Sequence, residues 1–210
     1  MKRYFITGTD TDCGKTYVTK KLLEFFADSA AIKPIASGCI LQGGQLVNAD
    51  ALQLKQNNKL TLEQINPWRF PLPVSPHIAA RQTGAHIKID EIARYCLELQ
   101  IDDTEILFIE GAGGLMVPLN EQETWIDFLK ITQLPVLLVV GMKLGCINHA
   151  LLTAKVLETC QIHCNGWIAN CLDPDMIALK ENIATLKLKL NVPLLGTLPF
   201  QGGFSLINLP

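Results

Sequence analysis

The sequence lacks a long apolar run, a basic surplus and a paired-cysteine pattern, and each absence narrows what the chain can be. Its longest hydrophobic segment lies near Pro135 to Val140, far below the roughly 18 residues that suggest a membrane span. Lys2 and Arg3 precede a run of only three apolar residues, Tyr4 to Ile6, too short for the core of a signal peptide. A soluble cytoplasmic protein with no membrane partner is the expectation. The formal net charge is -2 and the sequence pI about 6.1, so nothing points to nucleic acid or an acidic membrane surface. Seven cysteines without a secretion signal read as reduced thiols. None forms the Cys-x-x-Cys pairs of a structural metal site. His77, His86, His149 and His163 show no triad or metal spacing and read as structural or surface groups. Low-complexity segments, repeats and long linkers are also missing. With 210 residues and 49% apolar composition, residues 1–210 are expected to form one domain with a sizeable core.

What is present begins with Gly8-Thr-Asp-Thr-Asp-Cys-Gly-Lys-Thr16. An apolar run, Tyr4 to Ile6, reads as a strand before it, and Tyr17 to Phe26 reads as a helix after it. A strand, a glycine-bounded loop ending in Gly-Lys-Thr and a helix is the setting of a phosphate-binding loop. Backbone N–H groups and the positive helix end face the same anion. Lys15 reaches the outer phosphates in such a loop, and the Thr16 hydroxyl holds Mg²⁺. Here five residues, not the usual four, separate Gly8 from Gly14. The longer loop carries Asp10 and Asp12. Carboxylates repel phosphates, so these two call for a metal or a cationic co-substrate nearby.

Further along, Ala30 to Ile35 reads as a short strand, and Ser37-Gly38 opens a loop. Asn48 is the N-cap of a short helix. Residues 66–76 hold four prolines and read as an irregular loop. Ser75-Pro76 starts a helix through Arg81, with Ser75 as its cap. Asp90 to Gln100 has helical spacing. Ile106 to Ile109 is a buried strand ending in Glu110, with Gly111-Ala-Gly-Gly114 at its carboxyl end. Val136 to Val140 is a strand ending at Gly141, Ile147 to Cys160 a helix, Gly166 to Asn170 a strand, Met176 to Leu190 a helix, and Pro193 to Gly196 a last strand. This alternation implies an α/β fold: a P-loop NTPase-like, mostly parallel sheet with helices on both faces. Ligands bind such sheets at the carboxyl ends of the strands. Lys15, Thr16, Lys33, Ser37, Glu110, Gly141 to Cys146 and Asn170 all fall there.

Lys33, alone at a strand end, would be an ordinary solvated lysine. In a cleft already holding Lys15, a second ammonium lowers its neighbour's proton affinity and helps position an anion. Glu110 follows a buried strand, as does the acid that holds Mg²⁺ in nucleotide hydrolases. The glycines beside it let a ligand approach the backbone closely. Asp50 in a first helical turn is by itself a weaker candidate. The segment Leu144 to Ala150 opens a helix after a strand, and its free N–H groups suit a carboxylate. Cys146 has no base beside it, which argues against a nucleophile.

Several segments carry a resemblance to one family. Tyr4 to Thr16, Lys33-Pro-Ile-Ala-Ser-Gly38, Asn48 to Leu52, Ser75-Pro-His77, Glu110 to Gly114, Val139 to Ala150 and Trp167 to Asn170 are similar to the dethiobiotin synthetases. They run in order to about Pro199. The resemblance implies an ATP- and Mg²⁺-dependent ring closure on 7,8-diaminopelargonic acid and CO₂ or bicarbonate. It implies Thr16, Asp50 and Glu110 as metal ligands and Lys15 and Lys33 as catalytic lysines. The nucleotide would be held by Asp12, Cys13, Gly14, Lys15, Thr16, Tyr17, Asp50, Glu110, Gly111, Ala112, Gly113, Asn170, Cys171, Pro199, Phe200 and Gln201. Thr11, Ser37 and Gly114 would contact the diamine or its carbamate. In the homodimer the resemblance implies, Gly145, Cys146, Ile147 and Asn148 of the second copy would bind the substrate carboxylate. Asp12 stands where relatives often have Glu. The tail after Pro199 departs from relatives that carry an acid near the ribose. Two related P-loop activities fit less well. An amidating synthetase usually adds a glutaminase domain, and a partitioning ATPase carries a second lysine where this chain has Asp10.

Overall fold

In the computed structural model, which describes residues 1–206 and 209, the phosphate loop opens a doubly covered sheet. The end of the tail discussed above (Ile207, Asn208 and Pro210) lies outside the described residues. The elements are β1 (Lys2–Gly8), α1 (Lys15–Phe25), β2 (Ser29–Ile32), β3 (Ile35–Ala36), β4 (Ile40–Gln42), β5 (Gln45–Val47), α2 (Ala49–Lys55), α3 (Leu62–Ile65), β6 (Trp68–Arg69), α4 (Pro76–Gln82), α5 (Ile89–Glu98), β7 (Ile106–Glu110), α6 (Trp125–Thr132), β8 (Val136–Met142), α7 (Cys146–Thr159), β9 (Cys164–Cys171), α8 (Leu179–Lys189), β10 (Leu194–Leu198) and β11 (Ser205–Leu206).

The main sheet has seven strands in the order β11-β10-β9-β8-β1-β7-β2. Six are parallel, and β11 alone runs antiparallel, against β10. The parallel strands are nearly continuous apolar runs, as burial on both faces requires. Successive side chains alternate between faces. Leu137 and Val139 of β8 therefore join the larger apolar cluster, while Leu138, Val140 and Met142 join a second one with residues of α7 and α8. The chain leaves β1 toward β2 on one side and later builds β8 on the other. That reversal makes a crevice at the carboxyl end of β1, where ligands of such sheets sit. Register places Ile6 beside Glu110 and Gly8 beside Val139. Among the described residues no helix is long and apolar enough to cross a membrane.

Several expected elements are redrawn, each for a physical reason. The strand expected over Ala30 to Ile35 breaks at Lys33-Pro34. Pro34 has no N–H to donate, and Lys33 turns its own N–H to Ile65 O at 2.8 Å. The chain then pairs, as β3, with β6, a short strand inside the proline-rich stretch expected to be irregular. The loop after Ser37 contains a hairpin of β4 and β5, closed by Gly43-Gly44 with φ of 59° and 83°, as a two-residue turn demands. Ser75 precedes α4 as expected, but its Oγ lies 3.0 Å from His77 Nδ1 and makes no cap hydrogen bond. α8 begins at Leu179 and not Met176, because Asp173 Oδ1 accepts from the Asp175 N–H and holds a turn there.

α6 had no counterpart in the sequence reading. Thr124 caps it by accepting from the Ile126 N–H, and Asp127 accepts from the Thr124 N–H. Its Trp125 packs 5.1 Å from Phe5, ring to ring, and donates its indole N–H to Ala112 O at 2.9 Å. That bond pins the glycine-rich turn after β7 to the core.

Candidate active site

The phosphate loop is tight because glycine is the only residue that fits at its key points. Gly14 caps α1 with φ 82°, and a side chain there would start 2.1 Å from Asn170 Nδ2. Asn170 is buried at the end of β9 and donates to Cys13 O at 2.9 Å. A residue expected to meet the nucleotide thus also buttresses the loop that cradles it. Lys15 is only 4% exposed. Its ammonium donates to Asp10 O at 2.9 Å and Thr11 O at 3.1 Å, with Cys13 Sγ at 4.0 Å.

Glu110 is the centre of the second cluster. It is fully buried at the end of β7. Its Oε1 accepts from Thr16 Oγ1 at 2.6 Å and from Lys33 Nζ at 2.8 Å. Lys33 Nζ also donates to Asp50 Oδ2 at 2.5 Å. Asp50 is presented by α2, whose cap Asn48 accepts from the Asp50 and Ala51 N–H groups. Four residues expected at the site, Thr16, Lys33, Asp50 and Glu110, therefore meet directly. Burial pulls the Lys33 pKa down, but the Glu110 and Asp50 carboxylates outweigh it and hold the amine above the ordinary lysine range. The partners of the Lys33 ammonium are the two carboxylates, while Lys15 bonds the carbonyls of its own loop. Glu110 Oε2 is buried without a partner.

Next to this cluster lies a cavity of about 470 Å³, lined by Thr11, Lys33, Ser37, Asp50, Ser75 and Gly113 among others. Ser37 Oγ, buried beside it, has no hydrogen-bond partner. Gly113 has φ 67°, and a side chain there would start 2.7 Å from Val117 Cγ2. Gly111 likewise backs onto the Phe5 ring, 2.7 Å from where a Cβ would sit. A larger groove of about 790 Å³ between α7 and the start of β9 is mostly apolar and holds neither the phosphate loop nor Lys33, Asp50 or Glu110. The smaller cavity is the one equipped for chemistry.

The remaining expected residues lie around these two clusters. Pro199, Phe200 and Gln201 follow β10, whose Leu198 is in register with Asn170. They close a turn with the Gly202 N–H on Pro199 O. Cys171 is buried beside Asn170, and burial pushes its thiol pKa up. Gly145 caps α7 with φ 92°, and its turn does not line the cavity within this chain.

Two residues at the site had no role in the sequence reading. Asn66 is fully buried and donates its amide to Lys33 O at 2.8 Å, with Pro34 O at 3.3 Å and Trp68 O at 3.4 Å. Only the adjoining Pro67 marked its neighbourhood. Lys143 pairs with Asp10 across the loop at 3.0 Å. It fell inside the Val139 to Ala150 block, but nothing in that spacing shows its partner.

Residues 2–205 match a protein family described as an AAA domain. An ATP-dependent dethiobiotin synthetase BioD of Legionella pneumophila strain Philadelphia 1 is 65% identical over 209 residues, covering 100% of this chain and 99% of that protein. The chain belongs to the dethiobiotin synthetase family. The Pseudoalteromonas translucida synthetase of the same name is 44% identical, covering 96% of this chain and 91% of its own. The architecture around the synthetase motifs is shared more widely. The cell division protein FtsY of Thermotoga maritima matches with a TM-score of 0.58 at 16% identity, covering 99% of this chain and 65% of FtsY. The MinD cell division protein of Aquifex aeolicus matches with a TM-score of 0.53 at 14% identity, covering 95% of this chain and 82% of that chain. These two likenesses establish the P-loop fold alone.

Proposed function

We propose that the protein is an ATP-dependent dethiobiotin synthetase that joins 7,8-diaminopelargonic acid and CO₂ into a cyclic urea, with ADP and phosphate as co-products. The observation that carries this reading is the contact of Lys33 with Glu110 and Asp50 at the wall of the cavity. It puts a lysine, an acid pair and the phosphate loop around one space.

One substrate amine takes up CO₂ to form a carbamate and releases a proton. A carbamate oxygen then attacks the γ-phosphorus of ATP, and ADP leaves. The second amine attacks the carbonyl carbon of the mixed anhydride, closes the ring and expels phosphate. Lys15 and Lys33 neutralise the carbamate and phosphoryl oxygens, where charge develops. Thr11 and Ser37 hold the diamine or its carbamate, and the unpartnered Ser37 Oγ supports that role. Gly113 and Gly114 admit the reacting groups close to the backbone. Asp12 and Cys13 to Tyr17 surround the phosphates, Gly111 and Ala112 continue that wall, and Asn170, Cys171 and Pro199 to Gln201 flank the base.

Mg²⁺ fits the donor set. Thr16, Glu110 and Asp50 offer hard oxygens, Glu110 Oε2 is buried without a hydrogen-bond partner, and Mg²⁺ takes few protein ligands beside phosphates and water. Held by these residues, it would supply positive charge to offset that of the phosphates. A homodimer completes the site, with the α7 start of the second copy on the substrate carboxylate. Leu144, Leu152 and Met116 are exposed, at 99%, 59% and 58%. Leu152 and Met116 line an apolar hollow of about 350 Å³ between α7 and the turn after β7, which supports a partner on this face. All seven cysteines are free thiols, which supports a reducing compartment such as the cytoplasm.

The test is a product assay. Purified protein given the diamine, bicarbonate and MgATP should yield dethiobiotin by mass spectrometry, one ADP per ring. ATP consumed without a cyclic urea, or only with a different acceptor, would refute the reading.

A further inference from the structure

Asp10 is a carboxylate inside a loop that binds phosphate, where it repels the ligand unless it is neutralised. Its surroundings neutralise it. Oδ2 takes Lys143 Nζ at 3.0 Å, and Oδ1 accepts the Thr11 N–H at 2.7 Å. Lys143 comes from the end of β8, 133 positions away in the chain. The Lys143 ammonium holds the Asp10 carboxyl below its usual range, and Asp10 holds Lys143 above its own. Thr11, the next residue, lines the cavity beside Gly113.

We propose that Lys143 is a positioning residue: acting through Asp10, it fixes Thr11 and so sets the wall of the substrate cavity. The inference rests on the synthetase reading and assigns a residue that reading leaves without a task. One Asp10 oxygen is anchored to the turn after β8, and the other holds the Thr11 backbone N–H. Both side chains are about two-fifths exposed, Lys143 at 40% and Asp10 at 45%. The pair is therefore screened by water and salt, and its loss is modest and leaves the fold intact. Lys143 also leads into the turn at Gly145. The phosphate loop of one copy is thereby tied to the helix start proposed to serve the other copy.

The test is steady-state kinetics on the full chain with the diamine, bicarbonate and MgATP. Lys143→Gln should raise the diamine KM about three- to fivefold while kcat stays within about twofold. Lys143→Arg should restore most of the loss. In an Asp10→Ala background, adding Lys143→Gln should change nothing further, because the path to Thr11 is already cut. Rising ionic strength should lift the diamine KM of the parent toward that of Lys143→Gln. An unchanged KM in folded Lys143→Gln overturns the proposal. So does a further loss in the Asp10→Ala background, which would mean that Lys143 meets a substrate directly. Failure of the parent to make dethiobiotin would instead sink the synthetase reading itself.

Discussion

Lys15 and Lys33 are both buried lysines at the mouth of one sheet, and they are satisfied in opposite ways. Lys15 donates to backbone carbonyls five and four positions before it. Lys33 donates to carboxylates 17 and 77 positions away. The first arrangement is local and neutral, made by the loop folding on itself. The second is long-range and ionic, made only when α2, β2 and β7 have assembled. Taking away Lys15 strands two carbonyls that retain access to other donors. Taking away Lys33 strands a buried carboxylate, which is far more costly.

That contrast is broken most directly at Lys33. Lys33→Gln should lower kcat by about a hundredfold to a thousandfold, the scale of losing one group that stabilises transition-state charge. It should also cost about 3 kcal/mol of stability through the unpaired Glu110. For a chain of this size that lowers Tm by roughly 6–12 °C. Rates and a thermal melt of the same sample check both. Normal turnover in the folded variant would remove Lys33 from the mechanism. An unchanged Tm would show that Glu110 finds another partner. Lys15→Gln should behave otherwise. ATP affinity should fall roughly tenfold to a hundredfold, as for a charged hydrogen bond to phosphate. Stability should change by about 1 kcal/mol or less. Calorimetric titration with MgATP against a melt separates the two lysines.

A third, smaller effect sharpens why Lys33 points where it does. Asn66 clamps the carbonyls on either side of the Lys33-Pro34 break. Asn66→Ala should cost about 2 kcal/mol, the scale of leaving a buried carbonyl unpaired. It should reduce kcat more than it weakens ATP, because only the Lys33 side of the site loosens. Equal losses in kcat and ATP affinity would show instead a general softening of the sheet.

The same local-against-distant contrast governs what could be read from the chain. The phosphate loop was legible because its strand, glycines, lysine and helix are contiguous, and the geometry follows from spacing. The buried strands were legible as apolar runs, and their alternation with helices gave the parallel sheet. The hairpin at Gly43-Gly44, the split at Lys33-Pro34 and α6 were not. Each competes with a plausible local alternative that only pairing partners decide: β6 for the split strand, Phe5 and Ala112 for Trp125. At the site, the residue types of Lys33, Asp50 and Glu110 were legible, but their mutual contact was not. No spacing announces a pair 77 positions apart. Asn66 and the Lys143–Asp10 bridge were invisible for the same reason. Their functional identity is carried by partners that the linear sequence does not name.

The exposed third lysine supplies the smallest effect and the cleanest sign. Lys143 holds the Asp10 carboxyl below its usual range. A carboxyl whose pKa is depressed by folding adds stability that is complete above its unfolded pKa of about 3.9 and fades as pH falls through the lowered folded value. Lys143, held above its usual range, adds stability that is complete below its unfolded pKa of about 10.4 and is lost as pH rises through the folded value. The Tm gap between the parent and Lys143→Gln should therefore be flat across neutral pH and close at both extremes. Two-fifths exposure keeps the underlying stability difference below about 1 kcal/mol, roughly 2–4 °C in Tm. Buried Lys33 should leave a several-fold larger gap at neutral pH. If the Lys143 gap proved as large, solvent exposure would not be what separates these lysines, and the coupling of Asp10 to the loop would be stronger than a screened ion pair allows.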